Sequence, residues 1–297
     1  MSLKDILSDF HEQKSGAVEG EVTDLAEAFW QFITKTASLK DERRAPGYHP
    51  SQMFDFCPRE EVLAHFFPKP EADYIPPDLQ MIFDWGTAWH WYTQNHYFGP
   101  MGILWGEWVC NGCAARSEGF MPPPCAKCHP KWKPGPVVRG GYWTYVEPHL
   151  YDPEWGIPGH GDGILIMSRD PKGKRSLLEV KTVNGDRFKF INKPDEKYVF
   201  QVNIYLWLLK FDECWLTYWS KDAKQGKPKV FKITFDPSII EEVKKRIRLH
   251  KRAMPTLRLC EGICKTDSDK HATQCSQRAN CFNPAIEDII EKMKAKP

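Results

Sequence analysis

Apolar side chains recur near every 3.6 positions over residues 22–36 (Leu25, Phe29, Phe32, Ile33) after an acidic start, which predicts an amphipathic helix. Residues 2–13 read the same way, and the polar stretch 37–52 reads as a linker. A short helix is expected within 53–67, opening near Cys57-Pro58-Arg59 because proline suits a first helical turn. A longer one is expected over 78–98, where four-residue spacing puts Gly86, His90 and Gln94 on one face. Between 105 and 140 the period dissolves into Cys, Pro, Gly and Lys. Strands are predicted at about 142–150, 157–167 and 175–183, with the DPKGK of 170–174 as a hairpin turn. A strongly apolar helix at 195–211, strands near 214–219 and 229–235, a helix at 237–253 and a cysteine-rich tail complete the chain. This order predicts an α/β fold with a central mixed sheet flanked by helices.

Composition narrows the class. With 297 residues and 41% apolar content the chain can bury a sizeable core. No run approaches the ~18 apolar residues of a membrane span, and the opening MSLKDILSDFHEQK lacks the apolar stretch of a secretory signal. A soluble, cytoplasmic protein with no membrane partner is therefore expected. A net charge of +2 excludes a global polycation. The segment 244–258 is nonetheless rich in Lys and Arg and holds no acid, so it reads either as a phosphate-tracking face or as a solvated helix.

Ten cysteines without an export signal point to metal rather than disulfides. Cys110-x2-Cys113-x11-Cys125-x2-Cys128 has the spacing of a tetrahedral zinc site, and 105–140 reads as an inserted knuckle whose folding energy comes from the metal. Lys127, Lys131, Lys133 and Arg139 would suit a nucleic-acid contact there. The tail carries Cys260-x3-Cys264-x10-Cys275-x5-Cys281, and its thiolates could hold zinc or an iron–sulfur cluster. Cys214, in an apolar strand, reads as core.

The candidate chemistry lies in Glu179-Val180-Lys181. On a strand, Glu179 and Lys181 point to one face while Val180 packs behind. Asp162, in GHGDGILIM, would bring a second carboxylate from a neighbouring strand, so that two acids and an ammonium meet as metal-assisted phosphodiester hydrolysis requires. Gln201 and Tyr205 share a face of the following helix with Lys197. Each signal alone has an ordinary alternative: a turn for Asp162, a surface strand for Glu179 and Lys181, and core positions for His90 and Tyr205. Their order along the chain is what adds weight.

In that order the chain resembles the PD-(D/E)xK nuclease superfamily, and within it the RecB-like exonuclease branch: a helical G-x3-H (Gly86, His90), an Asp (Asp162), an E-x-K strand (Glu179, Lys181) and a Q-x3-Y helix (Gln201, Tyr205). The resemblance spans about 53–281. It implies a restriction-endonuclease-like core, with Mg²⁺ or Mn²⁺ held by His90, Asp162, Glu179 and the carbonyl of Val180. Lys181 would orient the attacking water, and Gln201, Tyr205 and Lys197 would contact DNA. Cys57 ahead of the core and the tail cysteines resemble the iron–sulfur subgroup, which includes AddB and the CRISPR-associated adaptation exonucleases. That implies a [4Fe–4S] cluster on Cys57, Cys264, Cys275 and Cys281, with Cys260 as the reserve for Cys264.

The expected division is a helical region at 1–52, a nuclease core at 53–104 and 141–259, a zinc knuckle at 105–140 and an iron–sulfur segment and tail at 260–297. The expected activity is metal-dependent exonuclease action on DNA, on single strands or free ends, in recombination, repair, or phage or CRISPR DNA processing, with recombination or CRISPR proteins as partners. The alternatives are an endonuclease on the same core and a zinc-dependent DNA-binding protein without catalysis.

Overall fold

The computed structural model describes residues 46–68, 76–128, 142–222 and 226–295. The helices expected at 2–13 and 22–36, most of the 37–52 linker, and Lys131, Lys133 and Arg139 lie outside the described residues.

Prolines open the first two helices, α1 (Pro58–Phe66) and α2 (Pro77–Thr93), where a missing amide proton costs nothing. The single helix expected over 78–98 ends instead in a widened π turn, Gln94–Phe98. Such turns often mark functional positions. Among the described residues nine strands follow in two sheets: β1 (Leu104–Cys110), β2 (Arg116–Phe120), β3 (Trp143–Val146), β4 (His149–Asp152), β5 (Ile157–His160), β6 (Gly163–Leu165), β7 (Ser176–Val183), β8 (Glu213–Ser220) and β9 (Lys229–Thr234). The large sheet runs β2-β1-β6-β7-β8-β9, with β3 also paired to β1. Only β7 and β8 are parallel, and the crossover this requires is made by α3 (Gly185–Phe190) and α4 (Glu196–Leu209).

Strand alternation sorts the two faces of β7. Leu177 and Val183 pack with Val202, Tyr205 and Leu206 of α4. Leu178 and Val180 pack on the opposite face with Leu104, Trp108 and Tyr145. Behind α4 lies α5 (Pro237–Ala253), whose Ile240, Val243 and Ile247 meet Phe200, Ile204 and Met53. The tail helices α6 (Lys270–Gln274), α7 (Arg278–Cys281) and α8 (Ile286–Lys294) return to α1, with Ile286 and Ile290 closing on Leu63. Among the described residues no helix is long and apolar enough to cross a membrane.

Three expectations are corrected. The strands read at 142–150 and 157–167 are each broken in two, because β4 and β5 pair only with each other as a separate small sheet. Pro148 cannot donate to a ladder, so the first break falls at Glu147-Pro148, and the second falls at Gly161-Asp162, where Gly161 N donates to Pro148 O at 3.2 Å. Second, 105–140 is not a coreless module. Its first residues form β1, which pairs with β2, β3 and β6, and Trp108 is 0% exposed with its indole N–H on Gly119 O at 3.1 Å. Third, the basic stretch after 243 is a solvated helix face with one exception, Arg246, which turns inward and donates to the carbonyls of Met53, Phe54 and Phe56 at 3.0, 2.9 and 3.3 Å.

Trp108→Ala is therefore expected to cost about 3–5 kcal/mol, the range for removing a large buried aromatic. Urea denaturation measures this, and a loss below ~1 kcal/mol, typical of surface changes, would show β1 to be peripheral.

Candidate active site

The pairing of Gly163 with Leu178 in the β6–β7 ladder brings Asp162 abreast of Glu179. Asp162 Oδ2 accepts from the Val180 amide at 2.6 Å, and its Oδ1 lies 3.2 Å from His90 Nδ1 on α2. Glu179 and Lys181 share the face of β7 toward α4, with Lys181 Nζ 2.6 Å from Glu179 Oε1. Lys181 also donates to Gln201 Oε1 at 3.4 Å, and Gln201 Nε2 donates to the Tyr205 hydroxyl at 3.1 Å.

One residue of this site was absent from the sequence reading. Glu147 stands at the break between β3 and β4, and its carboxylate, His90 and Asp162 place three donor atoms within 4.8 Å of one another. Gln94, first residue of the π turn, donates to both Glu147 Oε1 (2.8 Å) and Asp162 O (2.7 Å). The one sequence signal for it is a Glu-Pro step ending an apolar run, TYVEP.

Burial sets the electrostatics. Glu179 is 2% exposed, and burial together with Asp162 pushes its pKa up to about 7 against the pull of Lys181. Burial and Asp162 likewise raise that of Glu147. Burial opposes ionisation of Asp162, yet His90, Lys181 and the Val180 amide outweigh it and hold the group below the ordinary aspartate value. Burial would lower His90, but Asp162, Glu147 and Glu179 prevail and lift it to about 9. Lys181 is held charged in spite of burial by Glu179 and Asp162.

These residues suit a hard divalent cation, which takes oxygen donors and tolerates an imidazole. Glu179 Oε2 is buried with no hydrogen-bond partner, an arrangement that an ion would relieve.

Gln201 and Tyr205 are 6% and 5% exposed and brace the site from within. Gln201 holds Lys181, and Tyr205 packs so closely under Gly159 that a Cβ there would fall 2.8 Å from its ring. Lys197 is exposed, and its ammonium and that of Lys181 lie 4.8 and 4.7 Å from the centroid of the Tyr198 ring. Of the aromatics on α2, Trp89 packs against Trp219, whereas Tyr92 stacks on His96 and stays 37% exposed.

No family model matches the sequence, and no curated protein matches it. Among solved structures, the alkaline exonuclease LHK-Exo from Laribacter hongkongensis aligns over 71% of this chain and 89% of its own, at 12% identity and a TM-score of 0.41. LHK-Exo in complex with dAMP aligns over 77% and 94%, at 12% identity and 0.42. SSO0001 aligns over 80% and 89%, at 13% identity and 0.37.

Two cysteine groups lie apart from the carboxylates. Cys110, Cys113, Cys125 and Cys128 lie together, with Sγ–Sγ distances of 3.8 Å (Cys110–Cys128) and 3.7 Å (Cys113–Cys125). Zn–S bonds of ~2.3 Å put tetrahedral sulfurs about 3.8 Å apart, so this group has the size of a single zinc ion. A Cβ on Gly112 would sit 2.8 Å from Cys128 Sγ, so the knuckle leaves no room for a side chain there. Cys57 is 5% exposed and interacts electrostatically with Cys260, Cys264, Cys275 and Cys281. Arg59 ties the same region by donating to Cys260 O and Cys281 O, each at 3.2 Å. Of these thiols only Cys275 joins a three-donor group of single-ion size among the described residues, with Glu60 and His271. Cys214 is fully buried in β8.

In the cation-free protein near neutral pH His90 carries a proton and Glu179 takes one up more readily than an ordinary carboxylate, since their pKa values are raised to about 9 and about 7. A cation must displace those protons, so Mn²⁺ affinity should rise with pH up to about 9, releasing roughly one proton between pH 7 and 9 and nearer two below pH 7. Calorimetric titration across pH 6–9 reads this directly. A flat profile would remove His90 from the ligands.

Proposed function

We propose that this chain hydrolyses DNA phosphodiester bonds with Mg²⁺ or Mn²⁺, as a RecB-like exonuclease acting on single-stranded or free ends in the cytoplasm. The observation that carries the reading is the meeting of Asp162 with Glu179 and Lys181 across one strand register, beside His90. Two carboxylates, an imidazole and a fixed ammonium in one partly open site are what phosphodiester hydrolysis asks of a protein.

His90, Asp162, Glu179 and the carbonyl of Val180 would hold the divalent cation, which supplies charge neutralisation on the phosphate and acidifies a water when bound. The chain's own part is orientation. Lys181, clamped between Glu179 and Gln201, stays protonated, so it acts as a hydrogen-bond donor to the attacking water or a phosphate oxygen and not as a base. Tyr205 and Gln201 fix its direction from beneath. Lys197, exposed beside Tyr198, is the cation placed to meet a backbone phosphate.

The cysteine groups act as staples. Cys110, Cys113, Cys125 and Cys128 would hold a zinc ion that closes the end of β1. In the tail, Cys57 with Cys264, Cys275 and Cys281 would hold a [4Fe–4S] cluster, a reading supported by the electrostatic interaction of Cys57 with each of the tail thiols. Joining residues so far apart in sequence removes loop entropy from the unfolded chain.

End-labelled linear DNA should be degraded with Mg²⁺ or Mn²⁺ while closed circles survive, and Lys181→Ala should slow degradation about 10²–10³-fold, the usual cost of removing one pre-positioned hydrogen-bond donor. Cleavage of circles would favour an endonuclease, and an unimpaired variant would sink the site. Anaerobically purified protein should contain one zinc and about four iron atoms per chain and absorb broadly near ~400 nm, as thiolate-bound clusters do. Cys57→Ser should lose the iron alone. Colourless protein with two zinc ions would refute the cluster.

A further inference from the structure

The sequence motifs account for His90, Asp162, Glu179 and Lys181 but leave Glu147 without a task. Its position is built rather than incidental. The chain leaves the large sheet at Glu147-Pro148 and returns at Gly161-Asp162, and the bond from Gly161 N to Pro148 O holds exit and entry side by side. The two carboxylates therefore come from the two ends of one excursion. Gln94 fastens both with a single side-chain amide, at 2.8 Å to Glu147 and 2.7 Å to the Asp162 carbonyl.

We infer that Glu147 is a direct ligand of the divalent cation, completing with His90 and Asp162 a donor set that Gln94 pre-positions. This deepens the cation-dependent reading above and rests on it. Three donor atoms within 4.8 Å of one another can close on a single ion, and Glu147 belongs to that compact set. Glu179, by contrast, is engaged by Lys181 at 2.6 Å through one oxygen, while its other oxygen is buried with no hydrogen-bond partner. Glu179 thus offers an unpaired carboxylate oxygen on the strand beside Asp162, in addition to the His90–Glu147–Asp162 set.

Charge makes the same case. Glu147, Asp162 and Glu179 carry three negative charges against one on Lys181, and a single divalent ion with neutral His90 balances the remainder. A merely structural Glu147 would be a poor choice, because among the described residues its one side-chain hydrogen bond comes from the neutral amide of Gln94, from which a glutamine could accept without burying a charge beside Asp162.

The test is Mn²⁺ binding, by calorimetry and by the loss of free-ion paramagnetic resonance signal, on the full chain as wild type, Glu147→Gln and Glu147→Asp. Glu147→Gln should weaken Mn²⁺ at least about 10-fold, and Glu147→Asp should recover part of that loss. Melting in EDTA separates a ligand from a brace. For a ligand, Glu147→Gln melts at or above the wild-type temperature without cation and gains less on Mn²⁺ addition. A brace would instead lower the EDTA melting point and leave the Mn²⁺ gain intact, which would overturn the inference, as would wild-type Mn²⁺ affinity in Glu147→Gln. Should Glu147→Gln fail to fold, Glu147→Asp binding Mn²⁺ as tightly as wild type, despite the shorter reach, would also overturn it. If wild type binds Mn²⁺ and Glu147→Gln does not, yet neither degrades DNA, the ligand assignment stands and the nuclease reading falls. DNA degradation with equal Mn²⁺ affinity in both gives the reverse.

Discussion

The bond from the Val180 amide to Asp162 Oδ2, 2.6 Å long, couples the site to the sheet. It is a charge-assisted hydrogen bond to a carboxylate with 7% exposure, so neither partner could be lost without leaving a buried group unpaired. Because β6 has only three residues, its register on β7 rests on few ladder bonds, and the Asp162 side chain extends the pairing beyond the strand's end. A slip of one residue would turn Glu179 and Lys181 away from α4 and bring Leu178 and Val180 under Gln201. Register, burial and site geometry are thus one constraint.

That constraint explains why so many ionisable groups tolerate burial together. Glu179 alone at 2% exposure would be an expensive charge, and Lys181 alone would be another. Paired at 2.6 Å, with Gln201 on the ammonium and Thr217 donating to the Glu179 carbonyl, they keep a fixed geometry that neither would hold in water. In the cation-free state a proton on His90 offsets part of the surplus of negative charge. The same surplus makes the site receptive to a cation, so the unpaired Glu179 oxygen and the charged His90 are two consequences of one imbalance.

The legible parts of the sequence were those governed by a local period. Strand alternation in SLLEVKTV put Glu179 and Lys181 on one face and Val180 on the other, and the helix of 237–253 was visible from its own amphipathic spacing. What stayed hidden depends on partners remote in sequence. No local pattern says that the chain should leave one sheet at Pro148 and rejoin it at Gly161, so Glu147 stayed invisible although it lies within 4.8 Å of Asp162. Burial of Gln201 was hidden for the same reason, whereas a core position for Tyr205 was legible as one of its two readings and comes from packing under Gly159. Composition misled at β1, where the cysteines and glycines of the knuckle mask a strand whose Trp108 is among the most buried side chains of the protein.

The placement of β1 also gives the zinc group a reach beyond its own loop. Cys110 is the last residue of β1, and Leu104 and Trp105 at the other end pair with Leu165 and Ile164 of β6, the strand that Asp162 precedes. Between them, Trp108 and Tyr145 fill the core against Leu178 and Val180. A β1 that frayed from its cysteine end would expose Trp108 first, then loosen the back of β7 and the short ladder that holds Asp162 abreast of Glu179. Four thiolates closed on one ion would resist that fraying at its starting point. Arg59 does a corresponding service for α1, bound as it is to the backbone of Cys260 and Cys281, so that groups outside the carboxylate site still bear on whether three carboxylates and a lysine are held in one place.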